Sequence, residues 1–195
     1  MTPCPRLADA DALPLAADTL AAAFADYPWT RYVIPDDDYA ERLRALQYLY
    51  LRHAHQHGIV GVTDSADGVI ALLPPDAPEP DAETVRQIIA LHGDRLDRLG
   101  QGESGPPAEE SEPGRPGTWR LETLGVHPTR QGSGLGGALV TFGLDTAAQR
   151  GARNVVLETS DPRNVQLYQR YGFSTVACSE RPDGPSVWSM RAVTS

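Results

Sequence analysis

The stretch from 119 to 137 constrains the fold of this chain more than any other part of the sequence. An extended apolar run ends at Pro128 and opens into a turn that carries Gly132, Gly134, Gly136 and Gly137. A loop without Cβ atoms lets successive backbone N–H groups turn toward one anion, and the start of a helix adds the positive end of its dipole. We therefore predict a strand, a pyrophosphate-binding loop with Arg130 beside it, and a helix that begins near Leu135.

A dinucleotide site is the alternative for this loop. Gly132, Gly134 and Gly137 fit the pattern G-x-G-x-x-G, and Glu158 follows at about the distance expected of a ribose-binding acid. In dinucleotide folds, however, the first glycine follows its strand directly, within the first βα unit. Here residues 127–131 intervene, and only about a third of the chain remains. The sequence therefore favours the pyrophosphate of another compound.

Two motifs resemble those of the GNAT superfamily of acyl-CoA-dependent N-acyltransferases. Gln131, Gly134 and Gly136, placed after Leu124-Gly125-Val126, resemble its motif A, and residues 164–173 resemble its L-Y-x-x-x-G-F segment one helix and one strand later. The resemblance implies a single α/β domain, with a mixed β-sheet of about six to seven strands flanked by helices. It also implies acetyl-CoA as co-substrate and no metal.

The resemblance assigns roles to individual residues. It implies a bulged strand at 124–126 whose backbone binds pantetheine, and it places acetyl-CoA against Leu124, Gly125, Val126, Arg130, Gln131, Gly132, Ser133, Gly134, Leu135, Gly136, Gly137 and Asn164. Tyr168 stands at the family's general-acid tyrosine, and a phenol with a pKa of about 10 can protonate a leaving thiolate. A core position is the alternative for Tyr168.

Glu122 is the second candidate catalytic residue. It lies an even number of residues before Val126, so a regular strand would place both side chains on one face. Many members of the superfamily carry a glutamate there as a water-connected base, and others carry none. A structural or exposed carboxylate is therefore the alternative.

The acceptor is predicted to bind between the first two long helices. Tyr27, Trp29 and Tyr32 cluster there, and Asp26 with the run 36–38 adds negative charge. Aromatic faces and carboxylates suit a small cationic molecule with an aromatic part and a primary amine. Longer stretches resemble members of the superfamily that acetylate aminonucleoside antibiotics. A polyamine, a protein N-terminus and a non-catalytic acyl-CoA-binding module are the alternatives.

The composition limits the partners and the chemistry. With 195 residues and 41% apolar content, one domain with a sizeable core is expected. A net charge of -9 disfavours binding to nucleic acid or to an anionic membrane. The absence of a long apolar run predicts a cytoplasmic protein. A monomer or a homodimer is expected. The sequence has no lysine, which excludes Schiff-base chemistry. Cys4 and Cys178 are predicted to be free thiols, and His53, His55 and His57 to be a solvated helix end rather than a metal site.

Hydrophobic periodicity and turn residues predict the remaining elements. Tyr50 is expected to point inward from the second long helix, and Val85, Ile88, Leu91 and Leu99 to form an apolar stripe. The predicted elements are a strand at 6–8, helices at 11–24 and 38–57, a hairpin at 59–63 and 69–73, an insertion at 75–118 with a helix at 81–99 and a mobile loop at 101–117, a strand at 119–126, a helix at 135–150, a strand at 155–159, a helix capped by Asp161, and a closing hairpin at 173–178 and 186–192.

Overall fold

A computed structural model describes residues 4–99, 115–181 and 183–194. In this part of the chain seven strands form one mixed sheet in the order β1-β2-β3-β4-β5-β7-β6. Neighbouring strands are antiparallel except for the parallel pair β4 and β5. The strands are β1 Arg6–Leu7, β2 Ile59–Val62, β3 Gly68–Leu73, β4 Thr118–Val126, β5 Asn154–Thr159, β6 Ser174–Ser179 and β7 Val187–Val193. The predicted α/β fold and both predicted hairpins are confirmed.

Helices cover both faces of this sheet. They are α1 Leu13–Ala23, α2 Pro28–Val33, α3 Tyr39–His57, α4 Ala82–His92, α5 Leu135–Gln149 and α6 Pro162–Gln169. Leu20 and Leu51, from α1 and α3, pack with Val69 on one face, whereas Leu139 of α5 packs with Leu72 on the other. None of the described helices is both long and apolar enough to cross a bilayer.

The short helix α2 was not predicted. Tyr27 is extended, and Pro28 occupies the first helical position, where its fixed φ and missing N–H are tolerated. The sequence pattern indicated only the end of α1 at this point, because the residue before a proline avoids the α region. The proline that was expected to end the first helix therefore begins the next one, since α1 has already ended at Ala23.

The sheet splits between β4 and β5. These strands pair only through Thr118–Arg120 and Asn154–Val156, although β4 continues to Val126 and β5 to Thr159. Beyond the paired residues, β5 continues beside β7 and β4 continues beside β3. A wedge-shaped gap therefore opens in the sheet, and we call it the β4–β5 gap.

A bulge in β4 lies at Glu122, two residues earlier than predicted. Thr123 lies opposite Ala71 and Leu121 lies opposite Leu72, so Glu122 is the extra residue. A bulge changes the parity of the strand. Val126 therefore packs on the α5 face, whereas Glu122 faces α3, where its charge acts on Tyr50. The prediction that Glu122 and Val126 share a face is wrong for this reason.

The predicted helix at 81–99 is shorter than expected. Helix α4 ends at His92, Gly93 has a φ of 51°, and a 3-10 segment continues through Gly93–Leu99. Val85 and Leu99, predicted to point inward, are 38% and 39% exposed. Only Ile88 and Leu91 pack against the core, beside α3. The greater part of the predicted mobile loop, 101–114, lies outside the described residues.

Candidate active site

A cavity of about 560 Å³ lies on the α3 face of the sheet, where the β4–β5 gap opens. Its floor is built by β4, β5, β6 and β7, and its roof by α2, α3 and the segment that ends at Leu99. We call it the acceptor cavity, after the substrate that the sequence predicts to bind beside Tyr27 and Trp29. It brings together six residues predicted for the site: Glu122, Leu124, Tyr168, Asn164, Tyr27 and Trp29.

Tyr168 is held at one wall of this cavity by the local structure of α6. Asp161 caps the helix by accepting a hydrogen bond from the N–H of Arg163, and Pro162 occupies the first turn, as predicted. The Tyr168 ring packs edge-on against Phe173, with centroids 5.4 Å apart. Tyr168 is 5% exposed, and burial, with a smaller effect of Tyr27, raises its pKa well above the ordinary value. The phenol is therefore protonated at neutral pH and can donate a proton.

Tyr27 connects the segment after α1 to the end of β5. Its hydroxyl lies 2.9 Å from the Oγ1 of Thr159 and accepts a hydrogen bond of 2.7 Å from the N–H of Ser160. The N–H of Trp29 donates to the Oγ of Ser160 over 3.2 Å. Asn164 reaches the same place, since its Nδ2 donates to Thr159 over 3.4 Å. Tyr27, Trp29 and Asn164 therefore form one side of the cavity.

The backbone of Leu124 and Val126 faces the β4–β5 gap. His127 donates its N–H to Asp67 of the neighbouring chain segment over 2.8 Å. In an antiparallel pair such bonds alternate along the strand, so Gly125 and Thr123 also bond toward β3. The N–H and C=O groups of Leu124 and Val126 therefore point away from β3. The side chain of Gln131 donates to the Val126 carbonyl over 3.1 Å, as this direction requires.

The glycine-rich loop begins α5 beside this gap. Gly132 and Gly134 have φ values of 75° and 84°, which are left-handed conformations that disfavour a side chain, and the space around both is open. Residues 130–134 are exposed. Arg130 pairs with Asp67 at 3.1 Å, and Ser133 donates to the Arg130 carbonyl over 2.5 Å. This loop offers backbone donors at a helix start, the feature on which the phosphate prediction rests.

Three residues of the predicted acetyl-CoA site have packing reasons for their identity. A Cβ on Gly125 would lie 2.7 Å from a methyl group of Leu20, and a Cβ on Gly137 would overlap the hydroxyl of Tyr171. Leu135 is 2% exposed and belongs to the core. Glycine at 125 and 137 therefore allows close packing against Leu20 and Tyr171. For Gly125, Leu135 and Gly137, only the backbone is available to a ligand.

Glu122 projects into the acceptor cavity and pairs with Arg120. Its side chain is 25% exposed. Tyr50 lies nearby, and burial of its hydroxyl together with the charge of Glu122 raises the pKa of Tyr50 to about 12. Tyr50 was predicted to be a core residue, but 38% of its surface is open and it lines the cavity.

Asp26 and Tyr32 do not line the acceptor cavity, so the structure does not bring them together with the other residues predicted to bind the acceptor. The side chain of Asp26 is 94% exposed and pairs with Arg31 at 3.3 Å. Tyr32 packs against Trp29, with ring centroids 5.9 Å apart, and the guanidinium group of Arg98 lies over the Tyr32 ring, 5.0 Å from its centroid. The predicted acidic run is also neutralised, since its members Asp36 and Asp37 pair with Arg95 at 2.5 Å and Arg42 at 2.6 Å.

Sequence patterns missed several cavity residues. Gln47 is polar but 7% exposed, and His92 is 2% exposed, with its Nδ1 2.8 Å from the carbonyl oxygen of Ile88. Desolvation lowers the pKa of His92. Both residues occupy inward positions of helices, where a pattern of apolar residues gives no sign of a cavity. Among the described residues no group of three or more His, Cys, Asp or Glu side chains could hold a metal.

The split in the sheet, the glycine-rich start of α5 and the buried Tyr168 therefore lie in one part of the structure. Residues 21–173 match the sequence profile of the Acetyltransferase (GNAT) family. The chain belongs to this family, whose members use acetyl-CoA.

Curated relatives are similar over part of the chain. A mycothiol acetyltransferase of Cellulomonas flavigena is 37% identical over 75 residues, which are 36% of this chain and 22% of the relative. The mycothiol acetyltransferase of Geodermatophilus obscurus is 36% identical over 89 residues, which are 45% of this chain and 28% of the relative. The chain thus spans less than a third of the length of these relatives.

Solved structures are similar over the whole chain. A Corynebacterium glutamicum structure described as histone acetyltransferase HPA2 and related acetyltransferase is 26% identical, with a TM-score of 0.73 and coverage of 100% of this chain and 98% of the other. An acetyltransferase from Salmonella typhimurium, solved with acetyl-CoA, is 16% identical, with a TM-score of 0.58 and coverage of 100% and 95%. The second likeness concerns the fold alone.

Proposed function

We propose that this protein transfers the acetyl group of acetyl-CoA to a primary amine of a small molecule by direct attack within a ternary complex. The observation that carries this proposal is the position of Tyr168, a buried and protonated phenol at the wall of the acceptor cavity, where the β4–β5 gap opens. Acyl donor and acceptor would approach this tyrosine from opposite sides of the sheet.

The donor side is proposed to use backbone groups. The N–H and C=O groups of Leu124 and Val126, which point away from β3, would bind the pantetheine amides as an added strand does. The loop from Arg130 to Gly137 would receive the pyrophosphate, because its residues 130–134 are exposed and lead directly into the 15-residue helix α5. The side chain of Gln131, which donates to the Val126 carbonyl, would give up this hydrogen bond or share the carbonyl with pantetheine.

The chemistry needs a neutral amine, a polarised carbonyl and a proton for the leaving group. The amine nitrogen attacks the thioester carbon, and the N–H of Val126 would stabilise the negative charge that develops on its oxygen. The carbon–sulfur bond then breaks, and Tyr168 would give its proton to the thiolate. The attacking amine loses one proton and the thiolate gains one, so no net proton is released once solvent has reprotonated Tyr168. General acid catalysis of this kind typically contributes about 10²- to 10⁴-fold.

Glu122 is proposed to accept the amine proton through water. The bulge at Glu122 turns its carboxylate toward the acceptor cavity rather than toward the α5 face. The carboxylate would therefore meet the amine on the acceptor side, while Val126 acts on the donor side. Its ion pair with Arg120 holds it in the cavity wall.

The acceptor is proposed to be an aminonucleoside antibiotic or a similar amine with an aromatic part. The cavity volume of about 560 Å³ falls in the range of small-molecule sites. Tyr27 and Trp29 supply aromatic faces, and Glu122 and Glu158 supply negative charge. Stretches at 20–28, 157–164 and 184–190 resemble puromycin N-acetyltransferase, although Glu122 and the insertion at 75–118 depart from it.

A polyamine or a protein N-terminus is the second candidate acceptor. The Corynebacterium glutamicum structure described as a histone acetyltransferase favours a protein acceptor. The roof built by α3 and the segment that ends at Leu99 favours a small molecule, because a protein chain would need an open groove.

The test is release of free CoA thiol from acetyl-CoA with a panel of amines. We expect turnover with aminonucleosides and aromatic amines at a higher kcat/KM than with spermidine or N-terminal peptides. At least a hundredfold preference for spermidine or a peptide would exclude the antibiotic acceptor and leave the acyl transfer standing. Binding of acetyl-CoA without thiol release for any amine would indicate a non-catalytic module.

A further inference from the structure

Two polar side chains of the acceptor cavity have a buried oxygen without a partner. The Oε1 of Gln47 and the Oγ1 of Thr123 are buried and make no hydrogen bond in the described part of the chain. Gln47 lines the cavity from the α3 roof, and Thr123 lines it from β4. Gln47 as a whole is only 7% exposed.

Unpartnered buried oxygens of this kind are rare in native proteins, because each loses its hydrogen bonds to water without gaining another. The neighbours of Gln47 on the same helix, Leu43 and Leu46, also line the cavity and offer no polar group. A leucine at position 47 would fill such a site without this cost. The amide at 47 therefore indicates a hydrogen-bonding partner that arrives from outside the chain.

The chemistry of these two groups restricts that partner. Rotation about the last side-chain bond of Gln47, a broad torsion, turns its oxygen toward the cavity, where it accepts from an N–H or O–H group. The hydroxyl of Thr123 can donate or accept. From the roof and the floor of one cavity, the two groups therefore complement a substrate group that offers both a hydrogen-bond donor and a hydrogen-bond acceptor, as a carboxamide or a hydroxyl does.

The charges around the cavity favour a neutral group. Among the described lining residues two carboxylates, Glu122 and Glu158, are balanced by two guanidinium groups, Arg120 and Arg181. The attacking amine already uses the carboxylate of Glu122 in the proposed mechanism. With Glu122 engaged by the amine, Glu158 alone would face both a second cation and the two guanidinium groups, so the balance of charge favours a neutral group.

We infer that Gln47 and Thr123 form a specificity subsite for a neutral amide or hydroxyl group of the acceptor. The inference rests on the proposed function for the placement of the amine in the same cavity. It makes the acceptor an amine with a second, neutral polar group, and it disfavours simple aromatic amines and polyamines.

The test compares two amines that differ in this group, L-phenylalaninamide and phenethylamine. The ratio of their kcat/KM values is measured for the wild type, Gln47→Leu and Thr123→Val. We expect the wild type to prefer the amide and each variant to reduce this preference about tenfold, the effect of one lost hydrogen bond. Comparing ratios cancels the different basicity of the two amines. Gln56→Leu, an exposed position of the same helix, is the control and retains the wild-type ratio.

Calorimetric titration of both amines into the CoA-bound protein gives the same comparison without turnover. An unchanged ratio in Gln47→Leu and Thr123→Val, or a wild type without preference for the amide, overturns the subsite. Preference in binding without thiol release overturns the proposed catalysis alone. Urea unfolding distinguishes a binding role of Gln47 from a structural one. If its oxygen has no partner in the free protein, Gln47→Leu is at least as stable as the wild type. If the side chain makes a structural hydrogen bond, the variant is less stable.

Discussion

The hydroxyl of Tyr171 occupies the space that a Cβ on Gly137 would fill. A methyl group there forces the tyrosine or α5 to move. We expect Gly137→Ala to lower the free energy of unfolding by about 1–3 kcal/mol, the usual cost of overpacking. Gly136→Ala is the matched control, because its Cβ would meet Leu167 at an ordinary 3.8 Å. Urea unfolding of both variants checks the difference, and equal stabilities would contradict this account of Gly137.

The neighbouring glycines test the donor site. Gly134→Val and Gly136→Val place branched side chains on the loop that is proposed to receive the pyrophosphate. We expect both folded variants to bind acetyl-CoA at least about tenfold more weakly, as expected when hydrogen bonds to a charged group are lost. Isothermal titration calorimetry measures the affinity. Unchanged affinity in both would remove the loop from the site, and binding of NADH by the wild type would favour the dinucleotide alternative.

Tyr168→Phe tests the proton donor. The ring fills the same space against Phe173, so acetyl-CoA affinity should stay within a few fold, while kcat falls about 10²- to 10⁴-fold. Burial raises the pKa of Tyr168, so its ionisation should add no limb to the wild-type rate profile below pH 10. Tyr48→Phe on α3, outside the cavity lining, is the control. A Tyr168→Phe enzyme that keeps most of its activity, with chemistry limiting the rate, would refute this role.

Glu122→Gln tests the base. Without the carboxylate, deprotonation of the amine depends on solvent, so the loss of kcat/KM should be largest near neutral pH and shrink as the pH approaches the amine's own pKa. We expect a loss of at least about tenfold at pH 7, within the range of general base catalysis. Glu158→Gln, also in the cavity lining, separates a positioned base from a general effect of negative charge. Equal pH profiles for the wild type and Glu122→Gln would assign deprotonation elsewhere.

His92 should make the protein less stable in mild acid. Desolvation lowers its pKa below the ordinary 6.5, so below that pH the unfolded chain binds the proton more readily than the folded one. Stability from this group is therefore present above pH 6.5 and is lost as the pH falls, by at most about 1.4 kcal/mol per pH unit. The unfolding free energies of the wild type and His92→Gln are compared between pH 7.5 and 5, which spans roughly two units around the imidazole pKa. We expect the two values to converge toward low pH.

The local signals in the sequence predicted most of the fold. Asp161 and Pro162 define the start of α6, and Gly172, with a φ of 86°, ends the turn after it. Such residues act through their own backbone, so their effect is visible in the sequence. The same holds for the glycines that begin α5.

The faces of β4 could not be predicted in the same way. Alternation along a strand assumes an unbroken register, and the extra residue at Glu122 is visible only against the partner strand β3. The acceptor cavity depends still more on tertiary structure, because Gln47, Tyr50 and His92 come from helices whose patterns indicate only a buried face. Residues that approach one another from distant segments leave no local pattern.

The segment Ala82–Leu99 joins the acceptor roof without contributing a strand to the sheet. It packs on α2 and α3, while the donor side is built by β4 and α5. Substitutions or length changes in this one stretch can therefore alter which amine fits, and leave the hydrogen bonds that form the β4–β5 gap intact. We therefore expect exchange of 82–99 for the corresponding stretch of another family member to change the acceptor and to keep the acyl donor.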